Sequence, residues 1–367
     1  MSKVLWCLSL ALLLTARLSR ATNDYTKYGP YNSESSKDWM KMDPATGCKA
    51  RQCHVTVTVT RPRVLADEDY EPGRRPPFPT VFFLNGFQMF STYYKDYVEL
   101  LASWGYVTVQ YDLPTMAVAS DSVEARYLGP LLDWLEDQHS TMGSFVNGLI
   151  DMDRLAVSGH SRGAKLAALH LTQNPEIKTA YLIDPVDCDK KYRKESPENP
   201  SAVKALAAGP PRHVGIVGSG DVGSCNPVGS NYNNFWGAVG NGSWLTVVSK
   251  CTHSQFINAP PLAAAMFNML CGTGKTSTQD VIRSTRPGLV AWMEGTLYQS
   301  HLHALVREHL SGQQVVVQAG SFLDAFFQWV YRMEAEDIFT FNVKTSASSV
   351  AAERSQAVQQ AAVVATT

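Results

Sequence analysis

The sequence predicts an α/β protein built on a mostly parallel, doubly wound sheet with helices on both faces and extra helices at the C-terminal end. Three observations carry this prediction. Short apolar runs alternate with stretches of helical periodicity from about residue 55 to residue 298, as repeated strand-helix-strand units require. Thr80-Val81-Phe82-Phe83-Leu84 is apolar without alternation, the mark of a strand covered on both faces. Leu155-Ala156-Val157 runs through Gly159-His160-Ser161-Arg162-Gly163 straight into Ala164-Lys165-Leu166-Ala167-Ala168-Leu169, which reads as strand, tight turn and helix in immediate succession.

The elements follow in order. Val55 to Thr60 alternates Val and Thr with period two, a half-buried strand. A Pro/Arg-rich surface loop, Pro72 to Pro79, leads into the Thr80 to Leu84 strand, which ends at Asn85-Gly86-Phe87. Ser91 to Trp104 reads as a helix and Tyr106 to Leu113 as the next strand. Leu128, Leu131, Leu132 and Leu135 recur at helical spacing, so Asp121 to Gln138 is expected to form one amphipathic helix. Beyond the turn at Ser161, strands are expected at Ala180 to Ile183, His213 to Val217 and Trp244 to Val248, with a polar insertion from Cys188 to Pro200. Helices are expected at Pro261 to Leu270, Asp280 to Tyr298, His301 to Leu310 and Phe322 to Glu334. From Ser346 the composition turns to Ala, Val, Ser and Gln, which favours disorder. The expected organisation is a targeting segment (1–21), an N-terminal extension (22–54), a catalytic domain (55–298), a helical C-terminal extension (299–342) and a disordered tail (343–367), without internal repeats.

Composition narrows the partner. With 45% hydrophobic and 18% charged residues and a net charge of −1, the chain has neither the basic excess of a nucleic-acid binder nor an acidic block for a charged partner. A neutral or apolar small molecule is the expected ligand. At the N-terminus, Lys3 precedes the apolar stretch Val4 to Leu14, and Ala16 and Ala21 follow, in the pattern of a secretory signal. Arg17, Arg20 and the lack of acids before Asp24 keep a plastid-type transit segment as the competing reading. Without that segment six cysteines remain, Cys48, Cys53, Cys188, Cys225, Cys251 and Cys271, an even number that suits an oxidising compartment. Cys48 with Cys53 and Cys225 with Cys251 are the expected pairs, against six reduced thiols as the alternative. Asn241-Gly242-Ser243 is a glycosylation sequon, meaningful only on the secretory route.

The chemistry centres on Ser161. Glycines two residues before and two after it let strand and helix approach closely, so the hydroxyl stands clear of the sheet on a nucleophile elbow. The backbone N–H of Arg162, at the helix N-terminus, is placed to receive an oxyanion. A serine hydroxyl needs a histidine to take its proton, and the histidine needs a carboxylate to fix its tautomer. In this arrangement the chain order is Ser, Asp, His, with the histidine on the loop after the last strand. Of the nine histidines only His253 lies there, five residues after Val248. His160 is expected to pack or bond locally, His170 and His213 fall within regular elements, and His301, His303 and His309 lie in a late helical segment. For the acid, Asp184 and Asp221 end successive strands, and topology alone favours Asp221. Asp187 and Asp189 lie further along a loop and are expected to be solvated. Phe87 N–H, aimed by the turn at Gly86, is the candidate second oxyanion donor. Phe87, Met89, Phe90, Tyr93 and Tyr94 on one side and Tyr232, Phe235 and Trp236 on the other suggest a large apolar substrate, the competing reading being ordinary core. Gly272-Thr273-Gly274-Lys275-Thr276 lacks the first glycine and preceding strand of a phosphate-binding loop and is not read as one.

At these residues the chain resembles the chlorophyllases, serine esterases of the α/β-hydrolase fold that release phytol from chlorophyll. The resemblance lies in Phe83-Leu84-Asn85-Gly86-Phe87 and Leu101-Ala102-Ser103-Trp104-Gly105-Tyr106. It continues in Gly159-His160-Ser161-Arg162-Gly163, Ile183-Asp184-Pro185-Val186-Asp187, Val217-Gly218-Ser219-Gly220 and the stretch from Cys271 to Leu297. It implies Ser161 as nucleophile, Asp184 in the Asp-Pro-Val match as acid, with Asp221 the alternative, and His253 as base. It also implies hydrolysis of a chlorophyll or pheophytin ester without metal or organic cofactor, peripheral membrane contact, and a chloroplast membrane setting. Asn85 in place of His, Ala164 in place of a second Gly, and the residues after His253 depart from the family pattern. Those departures leave a related carboxylesterase, lipase or cutinase-like polyester hydrolase as one alternative, and a non-catalytic pigment-binding protein as another.

Overall fold

The computed structural model describes residues 24–63, 74–188, 194–298 and 322–344. The expected targeting segment, the helix at 301–310 and the tail from Ser346 lie outside the described residues.

Nine strands form one sheet in the order β1-β2-β4-β3-β5-β6-β7-β8-β9 among the described residues. They are β1 (Ser33–Lys41), β2 (His54–Pro62), β3 (Phe78–Leu84), β4 (Val107–Asp112), β5 (Ile150–His160), β6 (Ile177–Ile183), β7 (Val214–Ser219), β8 (Trp244–Val248) and β9 (Phe339–Val343). From β4 to β8 every pairing is parallel, while β1, β2 and β9 add antiparallel edges. All of β3 is buried, as its unbroken apolar run requires of a strand with helices on either side.

One face of the sheet packs on α2 (Leu128–Ser140), α3 (Arg162–Gln173), α4 (Ala202–Ala208) and α5 (Tyr232–Ala238), through residues such as Leu131, Leu135, Leu166, Leu206 and Phe235. The other packs on α1 (Lys95–Ser103), α7 (Thr278–Met293) and α8 (Phe322–Ala335), through Tyr97, Leu101, Leu289, Trp292 and Val330. Helix α6 (Pro261–Cys271) lies at the strands' C-terminal end and buries only Cys271. The architecture is the doubly wound α/β-hydrolase fold.

Several expectations change. The N-terminal extension is not separate from the sheet, because β1 pairs along its whole length with β2. At the other end Phe339–Val343 pairs with β8, so the boundary expected at 342 falls inside a strand. Phe341 there packs on Trp244 and Phe326. The helix expected from Asp121 to Gln138 is interrupted: a single turn, Asp121–Glu124, precedes α2. Pro130 has no N–H to donate and its ring collides with a carbonyl four residues back, so it is tolerated only in a first turn, where α2 places it.

Cys48 pairs with Cys53, whereas Cys225 pairs with Cys271 rather than with Cys251. Cys251 is fully buried with its thiol 3.3 Å from the Val248 carbonyl, on the core side of the loop, while Cys271 ends α6 beside Cys225. Asp187, expected in solvent, is buried and caps α4, accepting from Ser201 Oγ (2.5 Å), Ala202 N (3.0 Å) and Val203 N (3.2 Å).

Candidate active site

The β5–α3 turn holds Ser161 at φ 58°, ψ −122°, a backbone region that non-glycine residues seldom occupy. Close approach of the flanking segments enforces it. A Cβ on Gly163 would sit 2.1 Å from the Leu84 carbonyl oxygen, and one on Gly159 would sit 2.6 Å from the Gly163 carbonyl carbon. Glycine at both positions is therefore a steric requirement.

Three side chains from three strand ends meet here. His253 Nε2 lies 2.8 Å from Ser161 Oγ, and His253 Nδ1 lies 2.7 Å from an oxygen of Asp184. Asp184 follows β6, is fully buried, and also accepts from Ser219 N (2.9 Å) and Ser219 Oγ (2.8 Å). Asn226 Nδ2 donates to Ser219 Oγ at 2.6 Å and so holds that hydroxyl in place. Asp221 is exposed, and its N–H donates to the Cys251 carbonyl at 2.9 Å. The carboxylate against the imidazole is thus that of Asp184. A carboxylate, an imidazole and a hydroxyl in this order can draw a proton from the hydroxyl as it attacks an acyl carbon.

His253 opens a short 3₁₀ turn, His253–Phe256, closed by reciprocal bonds between Thr252 and Gln255. Gln255 Oε1 also accepts from Gly274 N at 3.0 Å, and Thr252 Oγ1 donates to the Gly272 carbonyl at 3.1 Å. The Gly272–Gly274 segment is therefore a strap against the His253 turn.

The two residues that carry the candidate oxyanion donors line the same cleft. Arg162 begins α3, so its N–H has no acceptor within the helix, and Phe87 lies on the turn after β3. Asp112 pins that turn at both ends, accepting from Asn85 Nδ2 (2.9 Å), Ser91 N (2.7 Å) and Ser91 Oγ (2.6 Å). Asn85 is thereby explained where a histidine was the family expectation. The Arg162 side chain turns away into a buried ion cluster, with Nε 2.5 Å from Asp121 and an amino group 2.6 Å from Glu124. Lys165, also buried, reaches Asp121 at 2.7 Å.

A cleft of about 250 Å³ runs from Gly86, Phe87 and Arg162 along Met89, Phe90 and Tyr93, with Leu113 to Val118 and the α6 residues Ala263, Met266 and Phe267 as its other walls. Tyr94 does not line it but is completely buried beneath. Phe235 and Tyr232 are buried in the core on the far side of α5, with Trp236 packed against that core. Tyr232, Phe235 and Val239 recur at helical spacing on the sheet-facing side, so the expected second aromatic wall is core. The 113–118 loop and α6 take its place. Ser219, Asn226 and Asp112 orient the site without a role that the sequence assigns them; the signals are the strand-end positions of Ser219 and Asp112 and the place of Ser219 in the Val217–Gly220 motif.

Comparison with known proteins agrees with this geometry. The chlorophyllase family model matches residues 49–316. Chlorophyllase-2 of Arabidopsis thaliana is 24% identical over 204 residues, 51% of this chain and 63% of that protein. Chlorophyllase-1 of the same plant is 31% identical over 130 residues, 33% of this chain and 39% of that one. The chain thus spans less than two thirds of the length of either. Cutinase est1 of Thermobifida alba is 36% identical over 95 residues, covering 26% of this chain and 31% of the cutinase. Among solved structures, the ferulic acid esterase from Streptomyces cinnamoneus superposes with a TM-score of 0.50 at 16% identity, covering 76% of this chain and 92% of the esterase. That likeness is one of fold.

Proposed function

The chain belongs to the chlorophyllase family, and on that footing we propose that it is a serine carboxylesterase that cleaves the phytyl ester of chlorophyll or pheophytin. The observation that carries this reading is the hydrogen-bonded series Asp184, His253, Ser161, ending on a strained turn beside an apolar cleft.

In the first half-reaction Ser161 Oγ bonds to the C17 propionate carbonyl carbon while His253 Nε2 takes the hydroxyl proton. Asp184 keeps Nδ1 protonated and offsets the imidazolium charge. The N–H groups of Phe87 and Arg162 receive the oxyanion. The carbon–oxygen bond to phytol then breaks, with the proton passing from His253 to the departing oxygen, and the acyl group remains on Ser161. In the second half-reaction water loses a proton to His253, attacks the acyl-enzyme and releases the free propionate. The proton returns to Ser161.

The surroundings suit an apolar ester. Phe87, Met116 and Val118 are exposed at one rim of the cleft, and Leu262, Met266, Met269 and Leu270 of α6 are exposed at the other. Helix α6 carries no charged residue. Such a rim favours peripheral contact with a pigment-bearing chloroplast membrane; among the described residues no helix is long and apolar enough to cross one. The similarity to a cutinase supports a second reading, hydrolysis of simpler or polymeric esters by the same residues.

Incubating purified protein with pheophytin a, chlorophyll a and a short p-nitrophenyl ester, with chromatography of the products, separates the two. Release of pheophorbide or chlorophyllide at a rate well above that on the short ester is expected, and turnover of the short ester alone would favour the second reading. Absence of covalent labelling by a fluorophosphonate would leave only a pigment-binding role.

A further inference from the structure

Between the proposed oxyanion turn and the base lies a buried polar chain that the reaction scheme does not use. Gly86 N–H is 3.0 Å from Tyr94 Oη, Tyr94 Oη is 3.1 Å from His160 Nδ1, and His160 Nε2 is 3.1 Å from the carbonyl oxygen of His253. Tyr94 and His160 are both fully buried. The ring of His160 also lies against that of His253, with centroids 4.7 Å apart and planes 31° apart.

Proton positions follow from the partners. A carbonyl oxygen can only accept, so His160 Nε2 carries the hydrogen. Burial, together with the neighbouring His253, holds the His160 imidazole well below its ordinary pKa, which keeps it neutral and leaves Nδ1 as an acceptor. Tyr94 must then donate its single proton to Nδ1 and accept from Gly86 with its lone pairs. Met89 Sδ, 3.0 Å from the same oxygen, receives no proton in this arrangement. The chain is directed: Gly86 to Tyr94, Tyr94 to His160, His160 to the main chain of His253.

Two apolar side chains could fill this space at lower desolvation cost, since a buried polar chain stabilises a structure only when every member is satisfied. Its two ends are informative. One restrains the main chain at Gly86, the residue before Phe87 on the turn that lines the cleft. The other restrains the main chain of His253 itself.

Building on the esterase reading, we propose that Tyr94 and His160 are positioning residues that lock the oxyanion donor of Phe87 and the imidazole of His253 into a single geometry. Neither touches the substrate. Their effect is on the transition state, where donor aim and base placement matter, and not on the ground state.

Four variants test this on a soluble short-chain ester. Tyr94→Phe deletes one oxygen and keeps the ring packed on Phe83. His160→Leu removes both bonds, His160→Gln retains a donor toward the His253 carbonyl, and His160→Asn retains an acceptor toward Tyr94. Misplacing catalytic groups by even an ångström costs on the order of 100-fold, so Tyr94→Phe and His160→Leu should lose about 10- to 100-fold in kcat with KM little changed. His160→Gln should recover part of the loss. Affinity for a trifluoromethyl ketone, which forms an oxyanion on Ser161, should fall by the same factor as kcat/KM.

The proposal is overturned if Tyr94→Phe and His160→Gln both keep full kcat, if the loss resides in KM, or if trifluoromethyl ketone affinity is unchanged while kcat drops. Should His160→Leu fail to fold, the Tyr94→Phe and His160→Gln pair decides the matter. Ser161→Ala serves as the separate check: turnover persisting in that variant would end the esterase reading itself, whatever the other variants do.

Discussion

Replacing Asp184 by Asn should cost roughly 10⁴-fold in kcat, equivalent to about 5 kcal/mol of transition-state stabilisation, and the structure shows why. One carboxylate oxygen accepts from the Ser219 N–H, and the other accepts from both Ser219 Oγ and His253 Nδ1. An asparagine can be placed two ways. With its NH₂ toward the Ser219 N–H, two donors would face each other in a fully buried site, and an unsatisfied buried donor costs about 1–3 kcal/mol. With its NH₂ toward His253, the Ser219 N–H keeps its acceptor and the imidazole can change tautomer to accept at Nδ1, leaving only the rotatable Ser219 hydroxyl to redirect its proton. The second placement wins. It leaves Nδ1 bare and puts the hydrogen on Nε2, where it points at Ser161 Oγ and cannot receive that hydroxyl's proton. The assay is steady-state hydrolysis of a p-nitrophenyl ester, with urea unfolding as the check on folding. Asp221→Asn, at an exposed position, should stay within about two-fold of the native rate. Retention of more than about a tenth of kcat by Asp184→Asn, or collapse in Asp221→Asn alone, would refute the assignment.

Four other outcomes are expected. Gly163→Ala drives a methyl group into the Leu84 and Asn85 carbonyls at 2.1 and 2.6 Å and should destabilise by at least about 1–3 kcal/mol in urea titration, with loss of kcat because the displaced segment carries the Phe87 donor. Arg162→Ala strands part of the buried Asp121 and Glu124 charge and should cost about 3 kcal/mol of stability while lowering kcat far less, since the backbone N–H at 162 survives. Non-reducing peptide mapping should join the Cys225 peptide to that of Cys271 and find Cys251 as a free thiol that burial shields from alkylation. Burial lowers the His170 imidazole from 6.5 to about 4. Above pH 6.5 neither state binds a proton there, and between 6.5 and about 4 only the unfolded chain does, so folding stability falls as pH drops through that window, by up to about 3 kcal/mol. Urea midpoints measured across it should fall less steeply in His170→Leu, and an unchanged slope would count against the buried neutral imidazole.

How much of this was legible in the sequence depended on whether a residue's role is set locally or by distant chain. Ser161 and His253 could be read because each follows from its own segment: a glycine-flanked turn between strand and helix, and a loop directly after the last parallel strand. The strand Phe339–Val343 was legible in principle, since Phe-Thr-Phe-Asn-Val alternates, but it follows directly on helical periodicity and was absorbed into the extension. Tyr232, Phe235 and Trp236 were misread because the boundary of a seven-residue helix decides whether aromatic residues line a mouth or a core. Asp121 and Glu124 look like the polar face of an amphipathic helix until Arg162 and Lys165, some forty residues later, are brought over them. The Cys225 partner was equally hidden, because only the placement of α6 brings Cys271 beside it.

The choice between Asp184 and Asp221 shows what the sheet itself contributes. Ser161 and Asp184 both have positive φ, 58° and 38°, and both stand immediately beyond the C-terminal ends of adjacent parallel strands. Each is held there by the next strand: Ser161 N–H donates to the Ile183 carbonyl at 2.9 Å, and Asp184 N–H donates to the Val217 carbonyl at 2.7 Å. The strain that lifts each side chain out of the sheet is therefore offset by ladder bonds outside its own strand, and sheet register sets the proposed nucleophile and acid one strand apart, about 4.8 Å in the hydrogen-bonding direction. The imidazole of His253, on the turn that follows β8, spans from one to the other, 2.8 Å from Ser161 Oγ and 2.7 Å from Asp184. Asp221 lies two residues past the end of β7, beyond the last rung of that ladder at Ser219–Val248, with its backbone N–H committed to Cys251. Register, more than proximity along the chain, brings Asp184 and not Asp221 against His253.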